Sequence, residues 1–503
     1  MPSPRYSFHL LLLLACMISV AAQGAAGPRT VLIVLDGLRP DYVTEDGMPN
    51  VFRIRQEGLN FTNHHSTYPT VTRVNATTIS TGCYPGKHGV MDNTIYVKAH
   101  DAEKTFSTSS REHLEAIDAS LGGTLVLTPT LAEILEAAGQ KLLVVSSGSA
   151  GSAFLLNHKA KGHGIINGSY TLPATHQTEI DALLGAAPEE SYPNAALNAY
   201  VVDAYLQYAL PKLDPDVTLF WLSDPDHTAH RFGMGAPKTV EALKAVDGEV
   251  GRIVEGLRAR GLIETTNLIL TSDHGFSTHT GKYNPLAEMR QFVESQGVPA
   301  DSLVSAGFGI YLREQAETIT PKLVERMQGN KWIGPIFTRA AAPGSAEGWA
   351  PGTLSMELIH YQNDRAPDIL FSPQWNDGVN SHGFAGETLT IGVAGHGGAS
   401  TWDVHNTLIA SGPAFKKAAI SETPTHNVDL AATILALQGL PAPAHMDGRV
   451  LQEGFLAGGE AAAIERKTVE VKRAMEGGGA YRAVLHQSVV GGSAYFDAAE
   501  GAR

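Results

Sequence analysis

The sequence predicts an α/β fold: a doubly wound, mostly parallel sheet with helices on both faces and a smaller α+β subdomain inserted late in the chain. Two patterns predict it. Short apolar runs recur, each closing on a polar residue: 31–35 ends at Asp36, 142–145 at Ser146, 217–222 at Ser223 and Asp224, and 268–271 at Ser272 and Asp273. Unbroken apolar runs suit strands covered on both faces, whereas a half-exposed strand alternates. Between them lie segments of helical period and length, at 131–138, 195–210, 239–260 and 428–437. Strand followed by helix, repeated, is the signature of a parallel sheet wound on both sides. Ligands of such sheets gather beyond the carboxyl ends of the strands, so the polar residues that close the runs are expected to share one crevice.

Two later runs, 389–393 and 407–410, read as further strands. Over about 277–386 the pattern loosens into strand-like pieces at 305–312 and 332–338, one helix at 321–328 and a Gly/Pro-rich loop near 342–352. This stretch is expected to be an accessory subdomain inserted in a single catalytic α/β domain spanning 28–503. Residues 1–22 read as a secretory signal peptide: an apolar run at 8–22 follows Arg5 and ends in small residues. The run is shorter than the about 20 residues a spanning helix needs, so the expected product is periplasmic or secreted, with no stable membrane span after cleavage.

With 43% hydrophobic and 17% charged residues, 503 residues suffice for a large core. The formal charge of −14 gives no basic field for a nucleic-acid polymer. A small anionic substrate is compatible with it only where bound cations reverse the charge locally. The two cysteines are Cys16, inside the signal, and Cys83. Cleavage leaves Cys83 alone, so core and metals, not a disulfide, must stabilise the exported chain.

Four segments carry metal-ligand chemistry. Asp36 precedes Gly37 at a strand end; Asp226 and His230 are four apart, on one face of a helical turn; Asp273 and His274 follow a strand; His396 lies in Gly395-His396-Gly397-Gly398. Singly, each has an ordinary reading, a turn or a surface ion pair. Together they offer three carboxylates and three imidazoles, enough for two sites of three ligands each with positions left for substrate. That donor mixture favours two Zn2+, with Mn2+ or Fe as the other options.

A nucleophile is offered by Pro69-Thr70-Val71-Thr72-Arg73-Val74-Asn75, which runs on to Thr81-Gly82 and is followed by Asp92-Asn93. This segment, with the four above in order and spacing, resembles the nucleotide pyrophosphatase/phosphodiesterases of the alkaline phosphatase superfamily over roughly 30–449. The resemblance implies an alkaline-phosphatase-like fold and a small anionic phosphodiester or phosphoanhydride substrate. It makes Thr72 the nucleophile and a ligand of the bimetal site, with Asp36, Asp273 and His274 holding the metal beside it. Asp226, His230 and His396 would hold the other metal, and Asn93 would donate a hydrogen bond to a phosphoryl oxygen. The helix expected from Thr72 would present backbone N–H groups to that oxyanion.

Departures narrow the reading. Cys83-Tyr84-Pro85-Gly86-Lys87 is one residue from the Cys-x-Pro-x-Arg of sulfatases, but it follows the expected helix, at the end where carbonyls face outward. Threonine-type monoesterases of the superfamily carry a Lys-x-Arg pair where this chain has Ser149 and Gly151. Without those cations a monoanionic diester is the expected substrate. The phosphodiesterases usually continue with Phe-Pro-Asn-His after the nucleophile; here Arg73, Val74 and Ala76 replace all but Asn75. Arg73 is therefore read either as a contact to an anionic part of the substrate or as a solvated residue paired with a nearby acid. His64, His65, His88, His227, His279 and His382 are read as structural. The rival functions are a phosphonate-cleaving hydrolase, an alkaline phosphomonoesterase, or a degenerate metal-binding surface protein.

Overall fold

A computed structural model describes residues 29–459, 462–475 and 478–503; the expected signal segment and Cys16 lie outside them. Ten strands form the central sheet: β1 (Arg29–Leu35), β2 (Leu59–His65), β3 (Leu142–Ser146), β4 (Gly164–Asn167), β5 (Thr171–Leu172), β6 (Val217–Leu222), β7 (Thr266–Thr271), β8 (His405–Ser411), β9 (Ala419–Ser421) and β10 (Thr425–His426). They are ordered β9-β2-β8-β7-β1-β6-β3-β4-β5, with β10 also paired to β2. The run from β7 to β4 is parallel, and only β8 and β5 run against their neighbours.

The apolar runs are continuous because both faces are covered. Along β1, Val31, Ile33 and Leu35 enter one core cluster while Leu32 and Val34 enter another. The first face is closed by the long helix Pro237–Ala259, through Val246, Val250, Ile253 and Leu257. The second is closed by α1 (Thr72–Thr81), the helix Leu131–Ala137 and the helix Asp429–Leu437, through Ile79, Leu131, Leu430 and Ile434. The helix expected over 195–210 begins at Ala195 and extends to Leu213, its second half, Ala204–Leu213, taking wider π-type turns around Pro211, which has no N–H to donate.

This topology decides where chemistry can occur. Strands β7, β1 and β6 are adjacent and parallel, so the residues that follow them, Asp273, Asp36 and Asp226, emerge side by side. Strand β8 is antiparallel, which brings its amino end, and the loop carrying His396 before it, to that same edge. Strand β2 ends there too and leads into Thr72.

The late region departs from the sequence reading in several places. The run 305–312 is not one strand but a hairpin, Leu303–Ala306 with Gly309–Leu312, because Gly307 takes φ +58° and reverses the chain. The helix expected at 321–328 starts earlier, at Ala316, and carries Pro321 inside it. A helix at Pro285–Ser295 had gone unread, although Asn284 caps it and Pro285 opens it. The run 389–393 is not a strand: it loops between short strands Ala385–Thr388 and Ala394–Gly395, with Gly392 at φ +131° and Ile391 and Val393 exposed. Also unread was a C-terminal antiparallel sheet, β11 (Ile464–Ala474), β12 (Ala480–Val490) and β13 (Ser493–Ala502), which shares a core with the inserted region through Tyr481, Leu485 and Phe496 against Ile336 and Phe337. Among the described residues no helix is long and apolar enough to cross a membrane.

Candidate active site

Thr72 is the first residue of α1. The helix is rich in β-branched residues, and its hydroxyls turn back on the backbone: Thr77 Oγ1 donates to the Arg73 carbonyl at 2.8 Å and Thr81 Oγ1 to the Thr77 carbonyl at 2.7 Å. Packing does the rest, since all but Arg73 of its ten residues are buried. Asn75 anchors the entry by accepting from the Thr67 N–H at 2.8 Å and donating to the Thr67 and Val71 carbonyls. The residue preceding the helix, Val71, has no side chain that can cap it. Asn93 supplies the cap from elsewhere, its Oδ1 accepting the Arg73 N–H at 3.0 Å. That N–H, expected to face an oxyanion, is thereby occupied, while the amide N–H groups of Asn93 remain as donors.

The six expected ligands fall into two groups. Asp36, Asp273 and His274 form a buried inner group: His274 Nε2 lies 2.9 Å from Asp273 Oδ2 and 3.5 Å from Asp36 Oδ1. Asp226, His230 and His396 form an outer one, Asp226 Oδ1 standing 3.2 Å from Nε2 of each histidine. The groups abut, with the rings of His274 and His396 stacked 3.4 Å apart. Thr72 Oγ1 is 3.3 Å from His274 Nε2, on the inner side. Gly37, at φ +71°, makes this crowding possible, because a Cβ there would stand 3.1 Å from that of Asp226.

The donor chemistry fits divalent cations. Among the described residues Asp36 Oδ1, Asp226 Oδ1 and Asp273 Oδ2 are buried and have no hydrogen-bond donor, while the other oxygens of two of these carboxylates are satisfied: Trp221 Nε1 donates to Asp36 Oδ2 at 2.8 Å and the Gly37 N–H to Asp273 Oδ1 at 3.0 Å. Each imidazole directs Nδ1 at a backbone carbonyl, His230 at Ala394, His274 at Gly275 and His396 at Thr70. In the neutral ring this leaves the Nε2 lone pair facing a carboxylate oxygen, an arrangement that a cation between them stabilises. Burial, then Asp273 and Asp226, hold the Asp36 carboxyl well above its ordinary range. At Asp226 burial is outweighed by His230 and His396, which hold it well below. Burial and the neighbouring His274 push His396 down to about 4.

Residues 30–376 match the family model of type I phosphodiesterases and nucleotide pyrophosphatases. The chain belongs to this family. It is 31% identical over 266 residues to a venom phosphodiesterase of Macrovipera lebetinus, covering 52% of this chain and 27% of that protein. It is 26% identical over 437 residues to ectonucleotide pyrophosphatase/phosphodiesterase family member 1 of Rattus norvegicus, covering 83% of this chain and 41% of that protein. The chain thus spans well under half the length of these curated relatives. Among solved structures, murine ectonucleotide pyrophosphatase/phosphodiesterase 5, as an inactive variant in complex with AMP, superposes with a TM-score of 0.60 at 18% identity, covering 83% of this chain and 96% of that one. That likeness is one of fold.

Burial lowers the pKa of the Arg73 guanidinium, opposed by the carboxylates of Asp36, Asp226, Asp92 and Asp273. Its Nε donates to Thr108 Oγ1 at 3.4 Å, and among the described residues its guanidinium makes no ion pair. Cys83 follows Gly82, the left-handed cap of α1, and is fully buried. Sequence reasoning missed three supports. Trp221 reads as one more apolar strand residue, yet its indole N–H orients Asp36. Asn427 donates to the Asp273 carbonyl at 2.8 Å and to Asn75 Oδ1 at 3.0 Å, tying the inner group to α1. Asp92 is buried and accepts the N–H groups of Asn93 and Phe308, fixing the loop that presents Asn93. Only Asp92 had a signal, its adjacency to Asn93.

Proposed function

We propose that this chain is an exported two-metal phosphodiesterase that hydrolyses phosphodiester or pyrophosphate bonds through a phosphothreonine at Thr72. The observation that carries the reading is Thr72 Oγ1 at the start of α1, 3.3 Å from His274 and flanked by two groups whose carboxylate oxygens lack partners. Asp36, Asp273 and His274 would hold one cation and Asp226, His230 and His396 the other, zinc suiting this donor set. Bound there, the pair supplies Lewis acidity: it eases loss of the Thr72 proton and offsets charge on the oxygens around phosphorus.

The chain's own residues then follow. Thr72 gives its proton to water as Oγ1 bonds to phosphorus and the bond to the leaving oxygen breaks, and that oxygen departs as an alcohol or phosphate after taking a proton back from water. Asn93, its Oδ1 committed to the Arg73 N–H, turns its amide donors to a nonbridging oxygen. Water then attacks phosphorus, restoring the Thr72 hydroxyl and releasing a monoester. The position where monoesterases carry a cation is closed here: a Cβ on Gly151 would stand 1.8 Å from the Thr108 carbonyl oxygen, and Ser149 is used to cap the helix Ala150–Leu156. The names of the relatives, venom and ecto-enzymes, support export, and AMP bound to the murine neighbour supports a nucleotide-sized ligand.

The test compares bis-p-nitrophenyl phosphate with p-nitrophenyl phosphate, for wild type and Thr72→Ala, with zinc content measured on both. Metal in both proteins, turnover favouring the diester, and a loss of about 10³-fold or more in the variant are expected. A monoester preference, or turnover that survives Thr72→Ala, would sink the proposal.

A further inference from the structure

A third group of ligand atoms lies away from the active site. His65, His405 and Asp497 offer atoms that all stand within 4.8 Å of one another. His65 ends β2, and His405, its register partner, opens the antiparallel neighbour β8, so the pairing of the strands sets the two rings 4.5 Å apart. Asp497 comes from the C-terminal sheet. Between β12 and β13 the register shifts: Gln487 pairs with Phe496 and His486 with Ala498, which leaves Asp497 as the extra, bulged residue. A bulge re-aims a side chain that regular alternation would send elsewhere. Here it turns a carboxylate onto the edge of the central sheet, where Asp497 Oδ1 lies 2.8 Å from His65 Nε2.

The bonding repeats what is seen at the two active-site groups. His65 Nδ1 is 2.8 Å from the Thr425 carbonyl, which makes Nδ1 the donor and leaves the Nε2 lone pair facing Asp497, as the Nδ1 bonds do in His230, His274 and His396. Asp497 Oδ2 accepts from Ser488 Oγ at 2.9 Å, leaving Oδ1. Among the described residues His65 Nε2 and Asp497 Oδ1 are both buried with no polar partner but each other, and Asp36 Oδ1, Asp226 Oδ1 and Asp273 Oδ2 are likewise buried beside an imidazole Nε2. His65 is fully buried, whereas Asp497 is 22% exposed and His405 partly so, which leaves an ion a path of entry.

We propose that His65, His405 and Asp497 form a third metal site, for a divalent transition ion of zinc's class, that fastens the C-terminal sheet to the central one. Two imidazoles and a carboxylate are a borderline donor set, unsuited to calcium or magnesium. The ion joins three segments far apart in sequence, and two of them, β2 and β8, adjoin the segments that carry Thr72 and His396. Its place is thus structural, under the active site and not in it.

The full-length chain, saturated with zinc and desalted, gives the test by elemental mass spectrometry. Asp497→Asn and His405→Gln are each expected to carry one equivalent less than wild type while keeping diester turnover, and amide exchange in β11 to β13 should quicken several-fold. The difference between proteins decides, whatever the active site itself binds. Crystals of the wild type supply an arm that needs no variant: an anomalous peak at the zinc edge among His65 Nε2, Asp497 Oδ1 and the His405 ring. No peak there, or unchanged metal content in the two variants, overturns the proposal and leaves a direct contact between His65 and Asp497.

Discussion

The two ends of α1 adjoin Thr72, read as the nucleophile, and Cys83, set aside despite its near-sulfatase motif, and they are built in opposite ways. At the amino end Thr72 faces the ligand groups, Val71 leaves the helix uncapped, and Asn93 is brought in from a distant loop to cap it. At the carboxyl end Gly82, at φ +64°, closes the helix on itself, and Cys83 is sealed with Sγ against the Thr81 and His445 carbonyls. Burial, then Asp447, push the Cys83 thiol up to about 11, so it stays protonated among acceptors. A helix offers N–H groups and positive potential only at its start. The same ten residues therefore offer a setting for chemistry at one end and an inert one at the other.

The largest expected effect breaks that symmetry directly, by removing a hydroxyl from each end. Thr72→Ala should abolish diester turnover with unfolding stability within about 1 kcal/mol of wild type. Thr81→Ala should do the reverse, losing about 1–2 kcal/mol of stability with its bonds to the Thr77 carbonyl and the Cys83 N–H while turnover per folded molecule is kept. Equal loss of turnover in both would show that α1 matters as a scaffold only. Next in size is Asn93→Ala, which removes both the cap and the donor; kcat should fall about 10²-fold with KM little changed. A fall in thermal stability without one in kcat would reduce Asn93 to a cap.

The candidate site was legible because its three carboxylates follow apolar runs. Asp36, Asp226 and Asp273 could be grouped because strands that carry such runs are parallel and their carboxyl ends share an edge. What stayed hidden depends on contacts between segments remote in sequence. Trp221 looks like core until Asp36 is placed beneath its N–H, and Asn427 has no local signal for a bond to the Asp273 carbonyl. The run 389–393 has the composition of a buried strand, but Gly392 turns it and leaves Ile391 exposed. The C-terminal sheet escaped because β11 is almost wholly exposed along its length and lacks the apolar run that betrays a covered strand. The contact of His65 with Asp497 was hidden for the same cause, since the bulge that aims Asp497 at it is a property of strand pairing.

Arg73 sharpens the contrast at the amino end. Among the described residues its guanidinium pairs with no carboxylate, which leaves its charge for substrate. Arg73→Ala should lower kcat/KM about tenfold or more on diesters that carry a second anionic group, and by less on neutral-armed diesters, the size of one charge-assisted hydrogen bond. Equal losses on both classes would assign Arg73 to holding the carboxylates in place.

The smallest effect belongs to the carboxyl end and is seen only in acid. His88, fully buried, lies with Nε2 3.2 Å from Thr78 Oγ1 and Nδ1 accepting the Val90 N–H at 3.1 Å, a pair of bonds that the neutral ring makes and the charged ring cannot. Burial, and then Arg365, push it down to about 3. A depressed histidine favours folding while both states are neutral, so its contribution is full above the unfolded value of about 6.5. As pH falls below that, the unfolded chain takes up a proton that the native one refuses, and stability is lost progressively toward pH 3, at up to about 1.4 kcal/mol per pH unit. His64 and His405, also pushed down to about 3, add to this slope, while Asp92 and Asp429, pushed up to about 7 and about 6, oppose it. The difference between wild type and His88→Gln isolates the one proton, because every other shifted group, His279 and His396 at about 4 among them, titrates in both. Urea unfolding between pH 6 and 4 should show the variant's stability falling less steeply by that one-proton amount, with turnover at pH 8 unchanged; parallel slopes would mean that His88 is charged in the native helix cap.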